Sequence, residues 1–146
     1  MRADDIPVAH TPPGGYGHEM PPPVLDGCDE PLPPRVPDLR GTWRVVEVDA
    51  QPSMVGHVQR IEQCGDRVCV TSGGVVHDMR ADGTVERGVH DVTPNGDPIT
   101  VVATFEHGVH VLRPEGLPGL EVTRHPEGDQ LVWRYGPLFT ARLERI

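Results

Sequence analysis

The chain contains no lysine: all 13 of its basic residues are arginine, against 22 acidic residues and a formal charge of −9. A net acidic chain lacks the basic face that neutralises phosphates, which argues against a nucleic-acid partner. No apolar run approaches the roughly 20 residues of a membrane-spanning helix, so no membrane partner is expected. Met1-Arg2-Ala3-Asp4-Asp5 has no hydrophobic stretch behind it, unlike a secretory signal, and a cytoplasmic location is expected. The three cysteines, Cys28, Cys64 and Cys69, are an odd number and do not suggest a disulfide framework. Cys64 and Cys69 flank a Gly65-Asp66 turn and could face each other, read as two thiols with a reversible disulfide as the lesser alternative. No glycine-rich phosphate loop leads from a strand into a helix, and no serine nucleophile elbow is present. No catalytic residue, cofactor or metal is assigned on these grounds.

Proline, by contrast, is plentiful and unevenly spread. Ten of the 17 prolines precede Leu39, including Pro21-Pro22-Pro23 and Pro31-x-Pro33-Pro34. Proline fixes φ and removes a backbone donor, so residues 1–38 are expected to form neither helix nor interior strand. They read as an N-terminal arm, either disordered or strapped over the rest through Tyr16, Met20, Val24 and Leu25. Such a strap could lid a pocket or bridge two subunits as a homodimer.

Residues 39–146 have a different rhythm. Runs of β-branched and apolar residues are broken every eight to twelve positions by turn signals: Gly65-Asp66, Gly73-Gly74, Asp82-Gly83, Asn95-Gly96, His107-Gly108 and Gly128-Asp129. Val75 to Arg80 is expected to pair with Thr84 to Val92 across Asp82-Gly83, a two-residue hairpin. A single turn of helix is expected within Ala50 to Gly56. The domain is therefore all-β, with eight to ten antiparallel strands in an up-and-down barrel, because closure removes both exposed edges. Such a barrel encloses either packed side chains or one small ligand.

Alternation along strands separates inside from outside. Leu131, Trp133 and Tyr135 share one face, as do Ile99, Val101, Ala103 and Phe105, and Phe139, Ala141 and Leu143. The candidate pocket residues are accordingly Val101, Phe105, Leu131, Trp133, Tyr135 and Phe139, with His77 between inward Val75 and Met79. The repeated Val76-His77-Asp78 and Val89-His90-Asp91 would make His77 and His90 diagonal neighbours across the hairpin, able to hold a metal or haem iron if they share a face.

Several motifs carry a resemblance to a known group. Gly41-Thr42-Trp43 at the first strand resembles the opening of the calycins, the lipocalins and fatty-acid-binding proteins. Ile61 to Val70 around Gly65-Asp66, Ala103-Thr104-Phe105-Glu106-His107-Gly108, Glu121 to Val132 and the closing Ala141 to Ile146 are similar to later strands of the fatty-acid-binding pattern, over about three quarters of the chain. The resemblance implies a calycin barrel that binds a small apolar molecule. It also implies that an arginine of the last strand stacks on Trp43 beneath Gly41, with Arg142 or Arg145 available and Arg145 the structural choice. The fatty-acid-binding proteins hold a carboxylate with an arginine and a tyrosine of the last strand. Here Ala141 and Leu143, or Arg142 and Glu144 in the shifted register, stand there, and Arg142 is the candidate. The helical pair that lids those barrels is reduced to a stub after Asp49. Nitrobindins, haem-binding barrels of related shape, have a histidine after the Pro-Leu matched by Pro137-Leu138, and this chain does not. The function expected is binding of a small hydrophobic ligand. The alternatives are a cyclase or isomerase using the same cavity with His77, Tyr135 or Arg142 as polar helpers, haem or metal binding through His77 and His90, and a filled barrel that binds partners through its arm.

Overall fold

The computed structural model describes all 146 residues and contains ten strands: β1 (Gly41–Val48), β2 (Val58–Cys64), β3 (Arg67–Ser72), β4 (Val75–Arg80), β5 (Val89–Val92), β6 (Pro98–Glu106), β7 (Val109–Pro114), β8 (Val122–Glu127), β9 (Gln130–Tyr135) and β10 (Phe139–Arg145). All pair antiparallel in the order β4-β3-β2-β1-β10-β9-β8-β7-β6-β5. Each neighbour is the next strand in sequence except for β1 with β10, a pairing that joins the two ends of the meander. The result is a nearly closed barrel with one seam, between β4 and β5. Helical structure is limited to two 3-10 turns, Ala3–Asp5 and Pro52–Met54, the second within the expected connector.

Alternation builds the interior as the period of two requires. On β10, Phe139, Ala141 and Leu143 are buried while Thr140 and Arg142 are not. Across the ladder Ala141 faces Trp133 and Leu143 faces Leu131. Leu39, Trp43, Ile61, Leu131 and Leu143 are all essentially inaccessible, and each such side chain contributes about 1.5–3 kcal/mol relative to an exposed position.

One end of the barrel is sealed around Trp43. The indole nitrogen donates to the Leu39 carbonyl at 2.9 Å, and the Arg145 guanidinium lies 4.3 Å from the ring centroid. Gly41, at φ +147, lies so close that an added Cβ would stand 3.1 Å from Arg145 Nε. Arg145, not Arg142, is the arginine that stacks.

Two expectations fail. Thr84 to Gly88 does not continue β5, and no ladder joins β4 to β5. The Asp82 carboxylate instead captures both the amide and the hydroxyl of Thr84, at 3.0 and 2.7 Å. That Asx-type turn competes with the hairpin. Gly88 then presses on β6, where a Cβ would meet the Val101 carbonyl oxygen at 2.0 Å. The cysteine reading also fails. Cys28 is disulfide-bonded to Cys64 across 36 residues, leaving Cys69 as a buried thiol. Cys69 pairs with Glu62 in the ladder and Cys64 with Arg67, so Cys64 and Cys69 do not oppose each other.

The residues before Leu39 lie against the outer face of β2, β3 and β4. Ala3, Leu25, Cys64, Cys69 and Val76 form a second buried cluster there, with Ile6, Ala9, Tyr16, Val24 and Cys28 packed beside it. The polar anchor is Arg67 on β3. Its guanidinium donates to the carbonyls of Ala3, Ile6 and Pro7 at 2.6–2.9 Å, and to both oxygens of Asp78 on β4. The Glu62 carboxylate accepts the amides of Val24 and Leu25 at 3.1 and 2.8 Å.

Candidate ligand-binding cavity

At the end opposite Trp43 the barrel is hollow. A cavity of about 730 Å³ runs inward from a rim made by the Gln51–Met54 connector, the β3–β4 turn, the β5–β6 turn and Leu138 of the β9–β10 turn. Its volume lies within the roughly 300–1,000 Å³ of small-molecule sites. The walls carry an aromatic group built by adjacent strands: Trp133 and Tyr135 from β9, and Phe139 from β10. Trp133 meets Phe139 edge-on at 5.0 Å, and Tyr135 stacks on Phe139 at 5.6 Å. His57, at the foot of β2, stacks on the Trp133 ring at 5.4 Å.

The expected pocket residues separate into three groups. His77, Val101, Trp133, Tyr135 and Phe139 border the cavity. Phe105 and Leu131 face inward but lie in packed interior, Phe105 against the His110 ring at 5.0 Å and Leu131 fully enclosed. Arg142 is on the outer face, where it pairs with Glu127 at 3.0 Å, and has no place in the cavity. Its neighbours Ala141 and Leu143 point inward instead, so the last strand presents no polar group to a ligand.

The polar group of the cavity comes from a residue that the sequence reading passed over, Arg124 of β8. Its Nε donates to Gln59 Oε1 at 2.8 Å, and its guanidinium lies 5.2 Å from the Trp133 centroid. No carboxylate pairs with it, and its Nη1 is buried without any hydrogen-bond partner. Burial lowers its pKa to about 10, so it remains cationic at neutral pH. Around it are other buried atoms without partners: Gln59 Nε2, His57 Nε2, Trp133 Nε1 and both ring nitrogens of His110. Burial, reinforced by the Arg124 charge, lowers the pKa of His57 and pushes that of His110 down to about 3. Both imidazoles are neutral, which leaves Arg124 as a lone positive charge in the interior. A sequence signal existed: Val122 and Arg124 share a parity on a strand whose apolar residue points in. Thr123 and His125 on the other face are also polar, so the contrast was weak.

His77 and His90 are not brought together. His77 Nε2 contacts the Val92 carbonyl at 2.8 Å across the seam, whereas exposed His90 contacts the Val85 carbonyl at 2.7 Å on the outside. Burial lowers the His77 pKa despite the opposing effects of that contact and of Asp91. No group of three or more metal-ligating side chains is assembled anywhere in the chain.

Solved structures share this fold, a ten-strand, nearly closed antiparallel barrel. Among solved structures, the zebrafish ileal bile acid-binding protein complexed with cholic acid superposes with a TM-score of 0.59 at 15% identity, over 73% of this chain and 98% of that one. Human cRBP IV gives 0.54 at 15% identity, covering 75% and 99%. A mutant of the REP1-NXSQ fatty acid transporter gives 0.55 at 13% identity, covering 74% and 98%. These likenesses establish the fold. No protein-family profile and no curated protein matches the sequence.

Proposed function

We propose that the chain binds one small amphipathic molecule inside the barrel. The apolar body lies among Trp133, Tyr135, Phe139 and Val101, and an anionic head such as a carboxylate faces Arg124. The observation that carries this reading is Arg124 itself: a cation in the wall of a cavity, without a counter-charge from the protein. A buried charge is costly unless paired, and a ligand anion supplies the missing partner. The bile-acid-binding protein and the fatty acid transporter among the structural neighbours are named for ligands of this kind, which supports the reading.

The test is a fluorescence titration with two apolar probes, anionic anilinonaphthalene sulfonate and neutral Nile red, following energy transfer from tryptophan. One probe per chain is expected in each case. Arg124→Met should weaken the anionic probe about tenfold or more, as loss of a charge-assisted hydrogen bond of about 1.5–3 kcal/mol implies, and leave the neutral probe within about twofold. Absence of saturable binding by either probe would refute the carrier reading. An equal loss for both probes would remove Arg124 from the ligand and make its role structural.

A further inference from the structure

The seam between β4 and β5 is the one place where the barrel wall lacks a ladder, and residues 9–11 are stitched to both of its lips. On the β4 side, the Ala9 amide donates to Asp78 Oδ2 at 2.9 Å, and the Val76 amide donates to Thr11 Oγ1 at 3.0 Å. On the β5 side, the Thr11 amide donates to Asp91 Oδ2 at 3.0 Å, with His10 Nδ1 3.5 Å from the same oxygen. The Asp91 side chain is only 5% exposed. Burial, the largest single influence, would raise its pKa, but the hydrogen bonds from Thr11 and the Val92 amide, together with His77, outweigh it and hold the carboxyl below its usual value.

Beyond Thr11 the chain runs over the two turns that rim the cavity. A hollow of about 540 Å³ lies between Thr11–Gly17 and those turns, and it shares Gly73, Val75, Thr93, Pro94 and Asn95 with the cavity itself. The segment therefore lies over the turns that rim the cavity. Its attachment is uneven. Arg67 grips residues 3–7 with three hydrogen bonds to their carbonyls, whereas only two hydrogen bonds join the longer stretch 12–23 to the barrel, from the Tyr16 amide to the Gly74 carbonyl at 2.8 Å and from Arg60 Nη2 to the Pro22 carbonyl at 3.2 Å. Segments with few bonds and little buried area are the first to open locally, and opening of such segments commonly controls ligand exchange.

We propose that Ala9–Gly17 is a strap closing the seam and the adjoining rim, held at Ala9–Thr11, and that lifting of its Pro12–Gly17 part sets the rate of ligand entry and release. The proposal rests on the cavity being the ligand site. A gate differs from a binding wall in its kinetics: it changes kon and koff together and leaves Kd alone.

Two glycines make the test specific. An alanine Cβ at Gly15 would meet the Gly74 carbonyl oxygen at 2.8 Å, whereas at Gly14 nothing lies within 4 Å. Both have positive φ, +75° and +82°, so Gly14→Ala carries the same backbone strain without the collision. Stopped-flow binding and displacement of anilinonaphthalene sulfonate would be measured on the full chain. Gly15→Ala should raise kon and koff together by about fivefold or more with Kd within twofold, and Gly14→Ala should change neither rate by more than about twofold. Exchange of the Tyr16 amide, bonded to the Gly74 carbonyl, should quicken in Gly15→Ala while that of Leu131 does not. Unchanged rates in Gly15→Ala, with Tyr16 exchange quickened, would overturn the gate and leave the carrier reading intact. A rise in koff alone would overturn it too, by making the strap part of the binding wall. Binding absent from both would refute the carrier reading and the gate with it.

Discussion

His110 offers a sharp check on the interior, because it is fully enclosed and neither ring nitrogen has a partner. The groups against it are the Phe105 ring from β6 and Arg124, its ladder partner on β8. Neither offers the imidazolium a hydrogen-bond acceptor or a counter-charge, and burial with the Arg124 charge lowers its pKa from 6.5 to about 3. A histidine depressed in the folded state binds its proton more readily when the chain is unfolded. Stability therefore rises with pH across the interval between the two values and is lost as pH falls below about 6.5. Between pH 7 and pH 5 this one residue should cost about 2 kcal/mol, from 1.36 kcal/mol per pH unit once the unfolded form is protonated. His110→Leu, close in volume and free of polar atoms, should abolish that part of the slope. It should also remove two unsatisfied nitrogens, leaving stability at pH 7 equal or higher by about 1–3 kcal/mol. Urea unfolding of both forms at pH 7, 6 and 5 is the assay. His57 and His77, also depressed by burial, contribute equally to both forms, so the difference in slope isolates His110. Equal slopes in wild type and variant would refute the reasoning.

Other consequences can be checked in the same unfolding assay. Arg67→Met should destabilise by about 3–5 kcal/mol, because it leaves Asp78 buried and unpaired. It should also expose residues 3–7 to limited proteolysis, and the double variant Arg67→Met with Asp78→Leu should recover part of the loss. Cys28→Ser should cost about 3–4 kcal/mol by the loop-closure argument for its 36-residue loop. A dithiol reductant should reproduce that loss in the wild type and add nothing to the variant.

The barrel was legible because its information is local. Period-two alternation on Leu131–Tyr135 and Phe139–Leu143, with turn pairs such as Gly65-Asp66 and Asn95-Gly96, fixes strands and faces without reference to distant residues. The same locality explains the failures. Asp82-Gly83 carries a genuine hairpin signal, but the Asp82 side chain closes on Thr84 and the chain leaves the ladder. The placement of residues 1–38 depends on Arg67, Glu62, Asp78 and Asp91, side chains of remote strands that accept or donate to the arm's backbone. No periodicity in the arm announces such partners. Arg124 was missed for a related reason, since an arginine in a strand reads as solvent-facing until the cavity opposite it is seen. The aromatic wall of Trp133, Tyr135 and Phe139 followed directly from parity.

β3 is covered on both sides: Val68 and Val70 by the barrel interior, Arg67, Cys69 and Thr71 by the layer outside it, each of the five 7% exposed or less. On β1 and β10, by contrast, the outer face is open to solvent, and substitutions there can drift as long as the inner residues hold. On β3 that freedom is gone. Mutational tolerance should lose its alternation at Arg67–Thr71, and a polar change at any of these positions disturbs one of two packed interiors. The strand nearest the middle of β2–β4 is thus the least evolvable part of the wall, although it stands only one strand from the open seam.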